Sequence, residues 1–180
     1  MTMQNIGYMP SDDALRQLDV YWPEQSSRST PGPLICFVHG GAWRSSVTPS
    51  LTPAQALIDS VKGIILSEGI YDIDTLLASF PSYRDWFIQP TFGPSESYAK
   101  FSVLGYPLRS PSNIYWLLLH SKGDTLVDLP QTEAMHNYLL HIYPERVSIN
   151  TDDLTDEHNA ILRTDIYVKI VSNFIAKFIL

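Results

Sequence analysis

Leu34-Ile35-Cys36-Phe37-Val38-His39-Gly40-Gly41-Ala42-Trp43 is the stretch on which the reading of the fold turns. Five apolar residues in a row read as a buried strand. The run stops at a histidine and two glycines, which let the backbone come close to whatever lies against it. Upstream, Arg16 to Trp22 alternates with Leu18, Val20 and Trp22 on one face, reads as a strand and ends at Pro23. The Ser-, Pro- and Gly-rich residues from Glu24 to Pro33 read as a turn. Downstream, Thr52 is placed to cap a helix with Pro53 at its first position, running through Ala54, Ala56, Leu57 and Ile58. Gly63 to Leu66 is a short strand broken at Ser67-Glu68-Gly69, and Tyr71 to Pro107 holds short helical pieces among Pro, Gly and aromatics. Ile114 to Leu119 is a strongly apolar strand. Asp128 caps a helix with Met135, Leu139 and Ile142 on one face. Arg146 to Leu154 reads as a strand with Val147 and Ile149 inward, and Ile166, Ile170, Phe174 and Phe178 line a closing amphipathic helix. Strands alternating with helices predict an α/β fold with a mostly parallel sheet and flanking helices. The absence of repeats and linkers predicts a single domain over residues 1–180.

A chain of 180 residues is long enough for one domain with a real core. Its net charge of −7 and lack of a basic cluster argue against nucleic acid as a partner. The lone cysteine, Cys36, reads as a small buried hydrophobe, and one thiol makes no internal disulfide, so a reducing, cytoplasmic compartment is expected. Met1 to Pro10 lacks the features of a signal peptide, and no stretch approaches the ~20 apolar residues of a membrane span.

Two residues carry the chemistry of the C-terminal half. Asp124 follows the strand that ends Leu119-His120-Ser121-Lys122-Gly123, the position where α/β folds gather ligands. His158 lies in the polar stretch Asp152 to Asn159, after the last strand and before the last helix. Acid first and histidine second is the order of hydrolase triads on this kind of fold. The aspartate accepts a hydrogen bond from the imidazole, fixes its tautomer and stabilises the imidazolium. Either residue alone also reads blandly, as a turn former and a solvated loop histidine.

The sequence resembles the fungal kynurenine formamidases, arylformamidases of the α/β-hydrolase superfamily. The matching pieces are Leu18-Asp19-Val20-Tyr21, His39-Gly40-Gly41-Ala42-Trp43, Gly69-Ile70-Tyr71-Asp72, the aromatic stretch Tyr83 to Phe92, His120-Ser121 followed by Asp124, and His158-Asn159. The resemblance implies an α/β-hydrolase-like sheet and hydrolysis of N-formyl-L-kynurenine to kynurenine and formate, in tryptophan catabolism and de novo NAD synthesis. It implies no metal or organic cofactor. It makes His39, Gly40, Gly41, Ala42 and Trp43 the oxyanion loop, whose N–H groups hold the negative oxygen of a tetrahedral intermediate. A small aryl formamide is the implied partner; no membrane partner is implied, and a homodimer is left open.

The departure from the family is equally specific. The nucleophile belongs in a Gly-x-Ser-x-Gly turn between the oxyanion strand and the strand ending Ser67-Glu68-Gly69, yet only Arg44 to Lys62 separates them. The reading is an incomplete fold with an internal deletion near residues 58–62. Other readings are a non-catalytic truncated or pseudoenzyme form, or a carboxylesterase of the same superfamily. Ser67 and Ser121 are weak decoys: Ile65 stands where the first elbow glycine belongs, and Asp124, Asp128 and Pro130 delay the helix that must follow Ser121. His120, His136 and His141 lack zinc-motif spacing, so no metal is expected, with His136 and His141 placed on a helix surface. Trp86, Phe87 and Phe92 are candidates either to line an aryl pocket or to pack as core.

Overall fold

β4 (Tyr115–Leu119) is the central strand of a three-stranded parallel sheet, with β3 (Gly63–Ser67) on one side and β5 (Val147–Asn150) on the other. The computed structural model describes residues 5–7, 17–19, 35, 59–106 and 113–179. Contacts divide the chain into two compact units, Met1–Leu51 and Thr52–Leu180. In the first unit, β1 (Asn5–Gly7) pairs antiparallel with β2 (Gln17–Asp19), which falls inside the alternating run. Ile35 is the one described residue of the 34–38 run. It lies outside any strand and is 66% exposed, against the expectation of a buried strand there. Leu34 and Cys36 to Val38 lie outside the described residues.

The second unit is built on the pleat of β4. Trp116 and Leu118 point to one face and join Tyr71, Ile114, Met135 and Leu139; Leu117 and Leu119 point to the other and join Leu154, Ile161 and Phe174. That alternation is the period of two of a strand, and each face is covered by one long helix. α3 (Leu129–Ile142) supplies Met135 and Leu139 to the first cluster, and α4 (Asp165–Phe178) supplies Phe174 to the second. The fold of this unit is thus α/β: an open parallel sheet with flanking helices.

Between β3 and β4 the chain forms α1 (Ile73–Ser79), a π-helical turn (Arg84–Ile88) running into α2 (Gln89–Phe92), and two 3₁₀ turns (Ala99–Phe101 and Val103–Gly105). These are short helical pieces of the predicted kind. Asp72 caps α1, accepting from Thr75 N at 2.9 Å. Gln131, fully buried on α3, ties that turn down: its Oε1 accepts from Tyr71 N and Asp72 N, and its Nε2 donates to the Asp72 carbonyl, each at 2.9 Å.

Three packing expectations need correction. Ile142 is 40% exposed, because Leu139 is the last buried residue of α3 and packing ends before the final turn. Ile149 is 37% exposed, because β5 ends at Asn150 as the sheet's edge strand and is covered only toward β4. Ile166 is 50% exposed: steps of four residues drift about 40° each on a helix of 3.6 residues per turn, so it has rotated off the face that Tyr167, Val171, Phe174 and Phe178 present. Asp128 stands at the N-cap position of α3, but its side chain accepts from Ser79 Oγ instead of capping. The helix predicted from Thr52 lies outside the described residues up to Ile58, and Asp59 and Ser60 are helical.

Candidate active site

The C-terminal ends of the three parallel strands bring together one turn, one loop and one strand end. After β4, the residues from His120 to Asp124 fold back on themselves: Asp124 N donates to the Ser121 carbonyl at 3.2 Å and Gly123 N to Ser121 Oγ at 3.1 Å. The loop after β5 is fastened onto this turn. His120 N donates to the Asn150 carbonyl at 3.1 Å, Lys122 N to the Leu154 carbonyl at 2.9 Å, and Ser121 Oγ to the Asp156 carbonyl at 2.6 Å. Thr125 Oγ1 adds a bond to Glu157 Oε2 at 2.9 Å. Gly123 makes the approach feasible, since a Cβ there would stand 2.1 Å from the Thr155 carbonyl oxygen, a backbone atom that cannot swing aside. These bonds carry the loop to His158.

His158 Nδ1 lies 2.7 Å from Asp124 Oδ2. The Asp124 side chain has no exposed surface, while that of His158 is 25% exposed. Asp124 Oδ1 accepts from Leu126 N at 2.8 Å and Val127 N at 3.0 Å, so both carboxylate oxygens are occupied. Burial acts to raise the Asp124 carboxyl, but the His158 hydrogen bond, the two backbone N–H groups and the imidazolium charge outweigh it and hold the group below its ordinary range. His158 moves the opposite way. Its hydrogen bond to Asp124 raises it, burial opposes, and the charges of Asp124 and Glu68 add to the rise. With Nδ1 turned to the carboxylate, Nε2 is the nitrogen left to exchange a proton with a reacting group.

A second carboxylate closes the site from β3. Glu68 is 4% exposed and follows the strand with φ of +49°, a left-handed conformation that costs a non-glycine residue about 1–2 kcal/mol. Its backbone N–H donates to the Leu119 carbonyl at 3.0 Å, its Oε1 accepts from Ser121 N at 3.1 Å, and its Oε2 lies 3.5 Å from His158 Nδ1. Burial, then repulsion from Asp124, push its carboxyl up to about 7. Sequence reasoning passed over this residue as a strand break. The signal was a carboxylate directly after an apolar parallel strand, the kind of position that singles out Asp124.

Glu68, Asp124 and His158 offer a group of three potential ligand atoms within 4.8 Å of one another. Two ligands on one zinc ion, at about 2.0–2.2 Å each, stand about 3.4 Å apart in a tetrahedral site. The 2.7 Å Nδ1–Oδ2 spacing is instead that of a hydrogen bond through one proton.

Of the other expected residues, His39, Gly40, Gly41, Ala42 and Trp43 lie outside the described residues. Ser121 is buried, with its hydroxyl engaged by Asp156 and Gly123 as above, and Ser67 Oγ lies 2.8 Å from Tyr167 Oη on α4. His120 is buried with Nδ1 3.0 Å from Thr132 Oγ1, and burial lowers its pKa against the pull of Asp124. His141 is exposed and His136 half-buried on α3. Phe87 is core, at 1% exposure, whereas Trp86 is 53% exposed and meets Tyr83 and Phe87 edge-on at 5.3 and 5.1 Å. Phe92 stacks on Phe101 at 4.5 Å. Tyr83 Oη donates to the Leu126 carbonyl at 3.0 Å, which joins this aromatic cluster to the segment after Asp124.

No protein-family model matches the chain, and no curated protein matches it. Among solved structures it is similar to the acylaminoacyl peptidase of Pyrococcus horikoshii, with 22% identity and a TM-score of 0.46 over 65% of this chain and 20% of that one. The chain therefore corresponds to about a fifth of that peptidase's length. Among the described residues no helix is long and apolar enough to cross a membrane.

Proposed function

We propose that this sheet edge is the acid–base half of an acyl-transfer site of the α/β-hydrolase kind, and that the complete site is an arylformamidase acting on N-formyl-L-kynurenine. The observation that carries the reading is the 2.7 Å bond between His158 Nδ1 and the Asp124 carboxylate, whose side chain has no exposed surface, both residues lying beyond the ends of adjacent parallel strands in the order acid, then histidine. The sequence motifs named above supply the narrower choice of a formamide. In that chemistry a serine Oγ attacks the formyl carbonyl while His158 Nε2 takes the hydroxyl proton. The sequence resemblance implies N–H groups near Gly41 and Ala42 as the holders of the oxyanion. Collapse expels the aryl amine, which takes the proton from His158, and water then releases formate from the serine ester by the same steps. Asp124 holds the imidazole in its productive tautomer throughout.

The chain itself is an impaired hydrolase on this reading, because the two candidate serines, Ser67 and Ser121, spend their hydroxyls on structural bonds. The test begins with the genomic locus around codons 58–62, read for a segment encoding Gly-x-Ser-x-Gly. The chain with that segment restored is expected to convert N-formylkynurenine to kynurenine. Asp124→Asn is expected to lower turnover about 10⁴-fold, and His158→Ala by several orders of magnitude. Rapid cleavage of a short aryl ester with no formamide cleavage would move the protein to the general esterases. Full activity in the His158 variant, or stoichiometric fluorophosphonate labelling of Ser121 in the unrestored chain, would overturn the assignment.

A further inference from the structure

We propose that Glu68 is a second carboxylate partner of His158, a positioning residue that holds the imidazole from β3 while Asp124 holds it from the turn after β4. The proposal stands on geometry and not on hydrolysis. Glu68 is nearly excluded from solvent, and its two oxygens divide their work: Oε1 accepts the Ser121 N–H at 3.1 Å and Oε2 stands 3.5 Å from His158 Nδ1. One side chain thus bridges the turn that carries Asp124 and the ring that Asp124 binds. Its backbone is held in the left-handed region to do so, with the N–H fixed to the Leu119 carbonyl at the end of β4. A strained backbone and a buried carboxylate are both unfavourable alone, and they persist where the surroundings over-determine them. The positive edge of the ring is what Oε2 meets here.

Two carboxylates then face one Nδ1. When both are ionised, the imidazolium is stabilised from two sides, and the neutral ring is held with its proton on Nδ1. When Glu68 is protonated, the pair reduces to Asp124 and His158. Glu68 therefore adjusts, on top of the stronger hold of Asp124, the pH at which Nε2 becomes free to accept a proton, and the two groups titrate as a coupled system. The groups facing them are Asp124 at close range and His120 just after β4, with Asp128 and Glu133 behind His120 and Tyr83, just before the π-helical turn, near Asp124. Removing the charge of Glu68 removes a charge that favours imidazolium, so the sign is fixed: the His158 midpoint moves down.

The experiment is an NMR titration of the 180-residue chain, following the His158 ring and the Glu68 carboxyl carbon. In the unaltered chain the two signals are expected to respond to each other's ionisation across neutral pH. In Glu68→Gln, which keeps an acceptor for Ser121 N, the His158 midpoint is expected to shift downward and to become a single step. In Glu68→Asp, which keeps the charge, the midpoint is expected to stay nearer the parent value. A purely structural Glu68 would leave the midpoint unmoved in a folded Glu68→Gln, and that result would overturn the proposal. Should Glu68→Gln not fold, the unaltered chain decides alone: a His158 signal blind to the ionisation of Glu68 would overturn it equally. Neither result bears on whether a restored chain cleaves formamides.

Discussion

Asp124 and Glu68 stand beyond the ends of neighbouring parallel strands and both reach the same imidazole nitrogen, yet their surroundings treat them oppositely. Asp124 accepts three hydrogen bonds, two from backbone N–H groups of its own turn and one from His158. Glu68 accepts one, from Ser121 N, and its second oxygen remains at 3.5 Å from the ring. Burial acts on both. Donors outweigh it at Asp124, so that carboxyl is held down; at Glu68 burial wins, and that carboxyl rises to about 7. The contrast shows that depth alone does not decide a buried acid's charge: the number of donors aimed at it does.

The sharpest way to break the comparison is to push the two loops apart. Gly123→Ala places a methyl 2.1 Å from the Thr155 carbonyl oxygen. The loop carrying His158 must retreat, so the Asp124–His158 bond is expected to be lost along with about 1–3 kcal/mol of stability from overpacking. Urea unfolding checks this, and an unchanged midpoint would mean that the loops are not pinned at Gly123.

A smaller effect sharpens the comparison through pH. Asp124 is depressed in the folded state, so its contribution is fully present above the ordinary carboxylate value of 3.8 and is lost as pH falls through its lower folded value. Glu68 is raised from 4.5 to about 7, so it binds protons more readily when folded and stability is lost as pH rises between those values. His158 is raised from 6.5 and adds a loss as pH rises through its folded value. Unfolding free energy measured from pH 3 to 9 is expected to fall at both ends. Glu68→Gln is expected to flatten only the neutral arm, and Asp124→Asn to remove the acid arm. A Glu68→Gln curve parallel to the parent would contradict the assignment of that arm.

Much of this edge was legible in the sequence because the relevant signals are local. The apolar runs at Gly63 and Ile114 lie where β3 and β4 form, and Asp124 stands just past a strand, where turn chemistry is easily read. Glu68 directly follows an apolar strand, but its partner, His158, is 90 residues away in sequence, and no residue pattern marks the left-handed backbone that turns its side chain into the site. Gln131 was missed for the same reason: a polar residue in the first turn of a helix reads as solvated, whereas here it is buried on the Tyr71–Asp72 turn. The exposed ends at Ile142 and Ile166 show the limit of periodicity, which gives the face of a helix but not how far the partner surface extends beneath it.

Asp124, bonded to His158 Nδ1 at 2.7 Å, is expected to fix the ring proton on that nitrogen. Nitrogen-15 NMR of the imidazole, recorded above its titration, reads this directly, because protonated and unprotonated ring nitrogens differ widely in shift. The predicted result is a neutral ring carrying its proton on Nδ1 with Nε2 bare, giving way in Asp124→Asn to a ring that carries it substantially on Nε2. A neutral ring protonated on Nε2 in the unaltered chain, or the same nitrogen shifts in both chains, would contradict it.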